Sequence, residues 1–521
     1  MILIILLGAL INWPYQNFQE FLAQGDHGRD LYAAQAVLRG ELPYKDFWWV
    51  YGPIMPFYYG LFLKIFGMQI PSVLLGKIVL NIASGAFFYL AFSRIFPAVT
   101  AGAAALWFMT FHSDFFFTYN HAGGIALMLA AVWAHCGYIK TARLNYAWGA
   151  LAAVFVLGLI KINFALTTLL MSVAVVAAVD YTHRIRFSLS KKLFYAGALL
   201  CLPLAWFGVY AFFLHGLSLT EVRQCLPYLG GDEPYNHMGP LQTLPILAKT
   251  IFHNITSSWV NAALCGLVLL CTGRTLYVLA VKKSTDNVKI ALLLGYLALF
   301  YILNLHEFLK SGVFYRSFWA QPLSIFLMFA VIASATIDLK RWARILLWMS
   351  VGLVMVLSNF SNYQRINAYK NGQHFLGGSR GQVYITNDRS WIQTAVLTTR
   401  QLQTTLKDDE TFFALPYDCL YYYLTSKKSP TRQLIFFDHI NITPEQEHKI
   451  LTELEAKHTG FVLVSSRQSA REHGLGTLGV TYCPFISQYI NTKFFAIAKI
   501  GDWINEPGWA WNHGTLIFKK Q

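Results

Sequence analysis

Charge is what this chain has least of. Only 13% of its 521 residues are Asp, Glu, Lys or Arg, about half the roughly 25% usual in soluble proteins. That shortage excludes an ordinary water-soluble enzyme. With unremarkable glycine and proline, it also excludes disorder, collagen and coiled coil. Cysteine is scarce as well: the seven present show no CxxC and no Cys/His spacing, so neither a zinc site nor a disulfide framework is expected. Cys419 and Cys483 are the one pair in the tail that could join. There is no Walker loop, no GxGxxG between strand and helix, no HExxH and no GxSxG elbow. LGGSRG at 376–381 is glycine-rich but has no strand before it and no lysine. No Asp-x-Asp of nucleotide-sugar type appears. No cofactor is expected, and a divalent metal, if used, has no evident ligand cluster.

What is abundant is apolar surface: 55% of residues are hydrophobic and the mean hydropathy is +0.43. A bilayer core takes about 20 mostly apolar residues per helix. About eleven such segments occur, near 1–13, 71–95, 98–112, 119–138, 146–160, 163–180, 193–214, 256–280, 289–304, 318–337 and 343–359. A shorter stretch, 53–67, is expected to be an interfacial or re-entrant helix. With the N-terminus inside, the short cytoplasmic loops hold 12 basic residues, from Lys140 to Arg344, against two acids, Asp286 and Asp338. The later outer loops hold five of each. That is the positive-inside asymmetry, so most of the net +15 is an orientation signal and no nucleic-acid partner is expected. An odd number of spans puts everything after Asn359 outside.

The tail, 360–521, changes character, with 17 Lys and Arg, 13 Asp and Glu and no spanning run. β-rich runs (TFFALP, FVLVSS, FFAIAKI, TLIFKK) alternate with helical patterns at 391–406 and 443–457. The second of these opens with Thr443-Pro444, a helix-start signal. This predicts a membrane core over 1–359 followed by a soluble, extracytoplasmic α/β domain.

The first outer loop, 14–70, carries five carboxylates and several amphipathic pieces, more than a connector needs. Residues 29–39 read as a short helix stopped by Gly40. Asp26 precedes it, where a carboxylate gains from the helix dipole. An N-cap is the plain alternative for Asp26 or Asp30.

The loop reads D-x-G-x-x-L-Y, then G-x-x-P-Y-x-D-F, then Gly-Pro: Asp26, Gly28, Leu31, Tyr32, Gly40, Pro43, Tyr44, Asp46, Phe47, Gly52 and Pro53. This resembles the catalytic loop of the GT-C class of glycosyltransferases that use polyprenyl-phosphate sugars. The protein mannosyltransferase-like and aminoarabinose transferase-like groups are the most similar. The resemblance implies a GT-C multi-pass helical fold and a catalytic carboxylate at Asp26, with Asp30 and Asp114 as further acids. His27 stands where the family often has a second acid. The resemblance also implies a polyprenyl-phosphate sugar donor, a lipid, glycan or protein acceptor, membrane-lipid contact and location in the plasma (inner) membrane.

Such a donor already carries a good leaving group. The enzyme needs a base for the acceptor hydroxyl and cations for the departing phosphate. Asp26 as base implies direct displacement with inversion. Phosphate candidates are Arg29, Lys45, Lys161 and Arg316, with Lys64, Lys77 and Lys310 as weaker outer-face cations. All have a plain alternative in snorkelling to headgroups. His27, Tyr44, Asp46, Asn120 and His121 are candidates for sugar or acceptor contact, and Asn120 or His121 could equally cap the next span. The WWVY aromatics at 48–51 are expected in an interface belt or stacked on sugar. Loop 215–254, with Asp232, Glu233, Tyr235 and His237, has the make-up of a lid. The alternatives are a lipid-linked oligosaccharide ligase or polymerase, whose chemistry sits in a late loop, and a transporter or flippase, which would show repeats and mid-membrane charges.

Overall fold

The computed structural model of the protein describes residues 25–111, 119–183, 189–226, 239–256, 258–281, 285–358, 374–385, 389–469, 474–503 and 514–521, with Ile2 and Leu6. The first segment, 1–13, otherwise lies outside them, as does Asp114.

α1 (Asp26–Leu38) and α2 (Ile54–Phe66) come from the first loop. α1 begins at Asp26 itself, three residues earlier than the apolar pattern indicates, because an acid in the first turn suits the helix N-terminus. It ends where expected, with Gly40 in a left-handed conformation at φ 83°. α2 buries Met55, Tyr59 and Leu63 and exposes Phe57, Leu61 and Ile65. Both rows are apolar, as suits a helix lying between protein and lipid.

The bundle follows: α3 (Ile70–Phe92), α4 (Ala98–Phe111), α5 (Tyr119–Thr141), α6 (Leu144–Gly158), α7 (Ile162–His183), α8 (Leu189–Leu214), α9 (Leu219–Cys225), α10 (Pro240–Thr256), α11 (Trp259–Val281), α12 (Thr285–Asn304), α13 (His306–Ser311), α14 (Gln321–Ala335) and α15 (Arg341–Ser358). Among the described residues, seven helices are long and apolar enough to cross a membrane. The expected segments near 98–112 and 146–160 are shorter apolar helices. The last is an 18-residue helix opened by Arg341 and Arg344. Loop 215–254 is not a bare lid, since it holds α9 and α10; Asp232, Glu233, Tyr235 and His237 lie outside the described residues.

The tail forms a four-stranded sheet from β3 (Phe412–Leu415), β4 (Phe461–Ser465), β5 (Phe494–Ile500) and β6 (Thr515–Lys520), after a two-stranded pair, β1 (His374–Phe375) and β2 (Tyr384–Ile385). The strand order is β3-β4-β6-β5, with β3 and β4 parallel and the other pairs antiparallel. A parallel pair requires a crossover. Here it runs through α18 (Cys419–Thr425) and α19 (Pro444–Ala456), after α17 (Arg389–Thr405) and the short α16 (Gly378–Gly381); α20 (Pro484–Lys493) leads into β5. The four expected strand runs are the four strands of this sheet. Thr443 caps α19 reciprocally with Gln446. Cys419 and Cys483 are not joined: both are buried free thiols, directed at the carbonyls of Leu434 and Phe436.

The tail and the first loop share one packed region. A Cβ on Gly28 would lie 2.2 Å from the Leu420 backbone nitrogen, so α1 and α18 approach at backbone distance. Only glycine permits that.

Candidate active site

α1 presents two acids and an arginine on consecutive turns. Arg29 is buried and donates from Nε and Nη2 to Asp30 Oδ1 at 3.0 and 2.8 Å, and from Nη1 to Asp26 Oδ1 at 3.3 Å. A spacing of three residues brings Asp26 and Arg29 onto one helix face, and the long Arg29 side chain also reaches its chain neighbour Asp30. The two carboxylates differ in access: the Asp26 side chain is 36% exposed and that of Asp30 2%. Asp26 is therefore the acid a substrate can reach, and Asp30 is the buried counter-charge of Arg29.

Asp30 has further anchors at the N-terminus of α5. Asn120 Nδ2 donates to Asp30 Oδ2 at 3.3 Å, and the Tyr119 backbone N–H also serves this carboxylate. Burial pushes Asp30 up to about 6, against the pull of Arg29.

The tail completes this group. Tyr417 donates its hydroxyl to Asp26 Oδ1 at 2.9 Å and accepts from Arg29 Nη1 at 3.0 Å. Burial pushes the Tyr417 phenol well above its usual value, so it stays a donor. A Cβ on Gly25 would fall 2.2 Å from the Tyr417 ring, so the chain entering α1 passes directly against it.

A second cluster lies across Tyr51. Its ring has the Arg29 guanidinium at 5.0 Å and the Lys161 ammonium at 5.7 Å. Lys161 pairs with Glu307 Oε1 at 2.9 Å, is also bonded to His121 Nε2, and is 3% exposed. Asn163 donates to Glu307 and reaches His306 Nε2 at 2.9 Å. His121 stacks on Trp319, ring centres 3.9 Å apart. Arg316, half-buried, is close enough to Glu307 and His121 for its charge to act on both. What holds Tyr51 here is backbone: Gly52 N donates to Ile160 O at 2.9 Å and Ile54 N to Leu159 O at 3.2 Å. A Cβ on Gly52 would meet Leu159 O at 2.1 Å. The Gly-Pro that closes the loop motif thus seats it against the turn carrying Lys161.

The structure therefore unites Asp26, Arg29, Asp30 and Asn120, and beside them His121, Lys161 and Arg316. His27 is buried, edge-on to Tyr119 at 5.5 Å. Tyr44, Lys45 and Asp46 lie in a turn, from which the Tyr44 hydroxyl donates to the Tyr51 carbonyl. Asp46 Oδ2 accepts from Leu42 N at 2.7 Å, Lys45 is exposed, and the Tyr44 carbonyl accepts from Arg432 Nε at 2.6 Å. That turn grips the tail, because Trp48 N in turn donates to Arg432 O at 2.8 Å. Trp48 and Trp49 are 3% and 1% exposed, so they are packing residues and not an interface belt. Their indole N–H groups bond Gln224 O and Gly52 O.

Sequence pattern singles out neither Tyr417, Glu307 nor Trp319, and offers Tyr51 only as one of the WWVY aromatics. For Glu307 a signal existed: an acid at the end of an apolar segment opposite Lys161. Among the described residues, no group of His, Cys, Asp and Glu could hold a metal ion.

No protein-family model matches the sequence, and no curated protein matches it. Solved structures do resemble it. ArnT from Cupriavidus metallidurans bound to undecaprenyl phosphate has a TM-score of 0.55 at 10% identity, over 99% of this chain and 97% of that one. The apo state of ArnT from the same organism gives 0.49 at 11% identity, with the same coverage of both chains. The Archaeoglobus fulgidus oligosaccharyltransferase in complex with Zn and sulfate gives 0.48 at 10% identity, over 96% of this chain and 73% of that one. The fold assignment rests on the first, nearly full-length match: this chain shares the fold of that ArnT structure.

Proposed function

We propose that the protein is an integral membrane glycosyltransferase that moves a sugar from a polyprenyl-phosphate-linked donor to a hydroxyl of a lipid, glycan or protein acceptor. The observation that carries this reading is the exposed carboxylate of Asp26, held by buried Arg29 and Tyr417. Next to it stands the buried cation Lys161, across Tyr51.

In this reaction Asp26 takes the proton of the acceptor hydroxyl. The acceptor oxygen forms its bond to the anomeric carbon as the carbon–oxygen bond to phosphate breaks. The electron pair leaves with the polyprenyl phosphate, and the configuration inverts. Lys161 faces the growing phosphate charge, while Arg29 holds Asp26. Both are held in place before reaction, which is what makes such stabilisation effective. Tyr51, between them, excludes water and stays neutral because burial raises its phenol. The organisation that accompanies this reading is a membrane core over 1–359 and an α/β unit over 360–521, with the site and the tail on the outer face of the inner membrane. The fold of ArnT, crystallised with undecaprenyl phosphate, supports a polyprenyl-phosphate partner.

The test is Asp26→Asn. Transfer from a polyprenyl-phosphate sugar in reconstituted vesicles should vanish while membrane insertion and yield stay as in the wild type. Retained transfer would move the base to another group. Donor-independent lipid movement across the vesicle would instead favour a flippase.

A further inference from the structure

Lys77 is the buried cation that the site described above does not use. It lies two turns into α3 and is 6% exposed. Helix side chains lean towards the N-terminus, so it reaches up towards the end of the bundle where α5 begins. Its ammonium lies 5.7 Å from the Tyr119 ring. Tyr59, whose hydroxyl donates to Tyr119 O, and Tyr58, whose hydroxyl donates to Gly76 O, wall this region with aromatic surface. Among the described residues, no carboxylate pairs with Lys77 and no hydrogen bond is made by its ammonium. Every other buried Lys or Arg of the site has a counter-charge: Arg29 has Asp26 and Asp30, and Lys161 has Glu307. An unpaired charge in such a place is costly and marks a site for an ionic ligand.

Its position distinguishes it from the cation assigned to the donor phosphate. Tyr119 and His121 are two residues apart on α5, which turns them about 200° around its axis. His121 is bonded to Lys161 and Tyr119 lies over Lys77. The two lysines therefore flank the α5 N-terminus from opposite sides, with Asp30 and Asn120 between them. In a displacement with inversion, leaving group and nucleophile stand on opposite sides of the anomeric carbon. If Lys161 holds the departing phosphate, Lys77 is on the acceptor's side.

Building on the glycosyltransferase reading, we propose that Lys77 and the tyrosines around it form a second anion site, which holds a phosphate of the acceptor beside the hydroxyl that receives the sugar. The acceptor is then an anionic, phosphate-bearing molecule, and Lys77 selects it against neutral analogues.

The test uses the purified full chain in detergent with two probes. Undecaprenyl phosphate is bound first to saturation; phosphatidic acid, a phosphomonoester lipid, is then titrated in, with phosphatidylcholine as the neutral control. Lys77→Gln should weaken phosphatidic acid binding about tenfold or more and leave undecaprenyl phosphate affinity unchanged, and Lys77→Arg should restore it. Unchanged phosphatidic acid binding in Lys77→Gln overturns the site. So does an equal loss for undecaprenyl phosphate, which would place Lys77 at the donor. Wild-type protein that binds no undecaprenyl phosphate overturns the glycosyltransferase reading itself, an outcome distinct from both. Melting temperature gives a second readout. Without ligand, Lys77→Met should melt above the wild type because an unpaired charge is removed; melting below it would make Lys77 a structural residue and overturn the proposal.

Discussion

Tyr417 and Asp26 are 391 positions apart in the chain, yet the phenol donates to the carboxylate at 2.9 Å and fixes one of its two oxygens. Oδ1 of Asp26 is also the atom that Arg29 approaches. Two donors on one oxygen leave the other as the proton acceptor. The tail thereby decides how the carboxylate of the first loop is presented.

Tyr417→Phe removes that bond and keeps the ring that packs against Gly25. A hydrogen bond to a charged group contributes about 1.5–3 kcal/mol, so turnover should fall by roughly ten- to a hundredfold. The melting temperature should stay near the wild-type value. An unchanged turnover would show that Tyr417 does not orient Asp26.

Asp30 should give the acid limb of the pH–rate profile. Its folded-state pKa is raised to about 6, so the carboxylate that holds Arg29 is fully ionised only above that pH. Turnover should decline as pH falls through about 6, and Asp30→Asn should lack that inflection. The linkage has the opposite sign for stability: between about 4 and 6 the folded state binds more protons than the unfolded one. This group's contribution therefore falls as pH rises through that window. Titration of melting temperature against pH, in wild type and Asp30→Asn, checks the sign.

Gly28→Ala should separate α1 from α18, since the new methyl would sit 2.2 Å from the Leu420 backbone nitrogen. Overpacking of this kind costs about 1–3 kcal/mol, and turnover should fall with it because Tyr417 lies on the displaced segment. Gly149→Ala, in α6, is the control. Its nearest neighbour is Ala134 Cβ at 3.9 Å, so stability should hold or rise slightly. Equal losses in both variants would sink the close-approach argument.

Breaking the Lys161–Glu307 pair from one side should be worse than removing it whole. Glu307→Ala leaves a buried ammonium without its carboxylate and should cost about 3–5 kcal/mol, whereas Lys161→Met with Glu307→Leu should be near neutral or stabilising. The double variant should still fail to transfer sugar, because the phosphate has lost its cation. Thermal unfolding and a transfer assay on the same preparations separate the two effects.

Much of this was readable from local pattern. Apolar runs located the bundle helices. The alternation of 461–466 and 494–500 located strands, and Thr443-Pro444 located the start of α19. The loop motif pointed to Asp26, and Arg29 and Asp30 were legible as charges on the short helix beside it. Other parts of the motif were legible as important but not in role. Tyr44 and Asp46, candidates for sugar or acceptor contact, shape a turn that holds Arg432, and Tyr44 also bonds the Tyr51 carbonyl. Trp48 and Trp49 looked like an interface belt and are buried. An aromatic or turn residue within a motif carries no label saying which surface will cover it.

The sequence by itself determined the scarcity of charge, the apolar segments, the sheet-forming tail and the first-loop acids, because periodicity and capping act over a few residues of chain. Tertiary structure alone decided which acid is reachable, since Asp26 and Asp30 differ only in what packs over them. It also decided that Tyr417 bonds Asp26, and that Lys161 is paired with Glu307 while Lys77 has no carboxylate partner among the described residues. Those outcomes depend on burial and on contacts between residues far apart in sequence, where no local pattern reports who the neighbour will be.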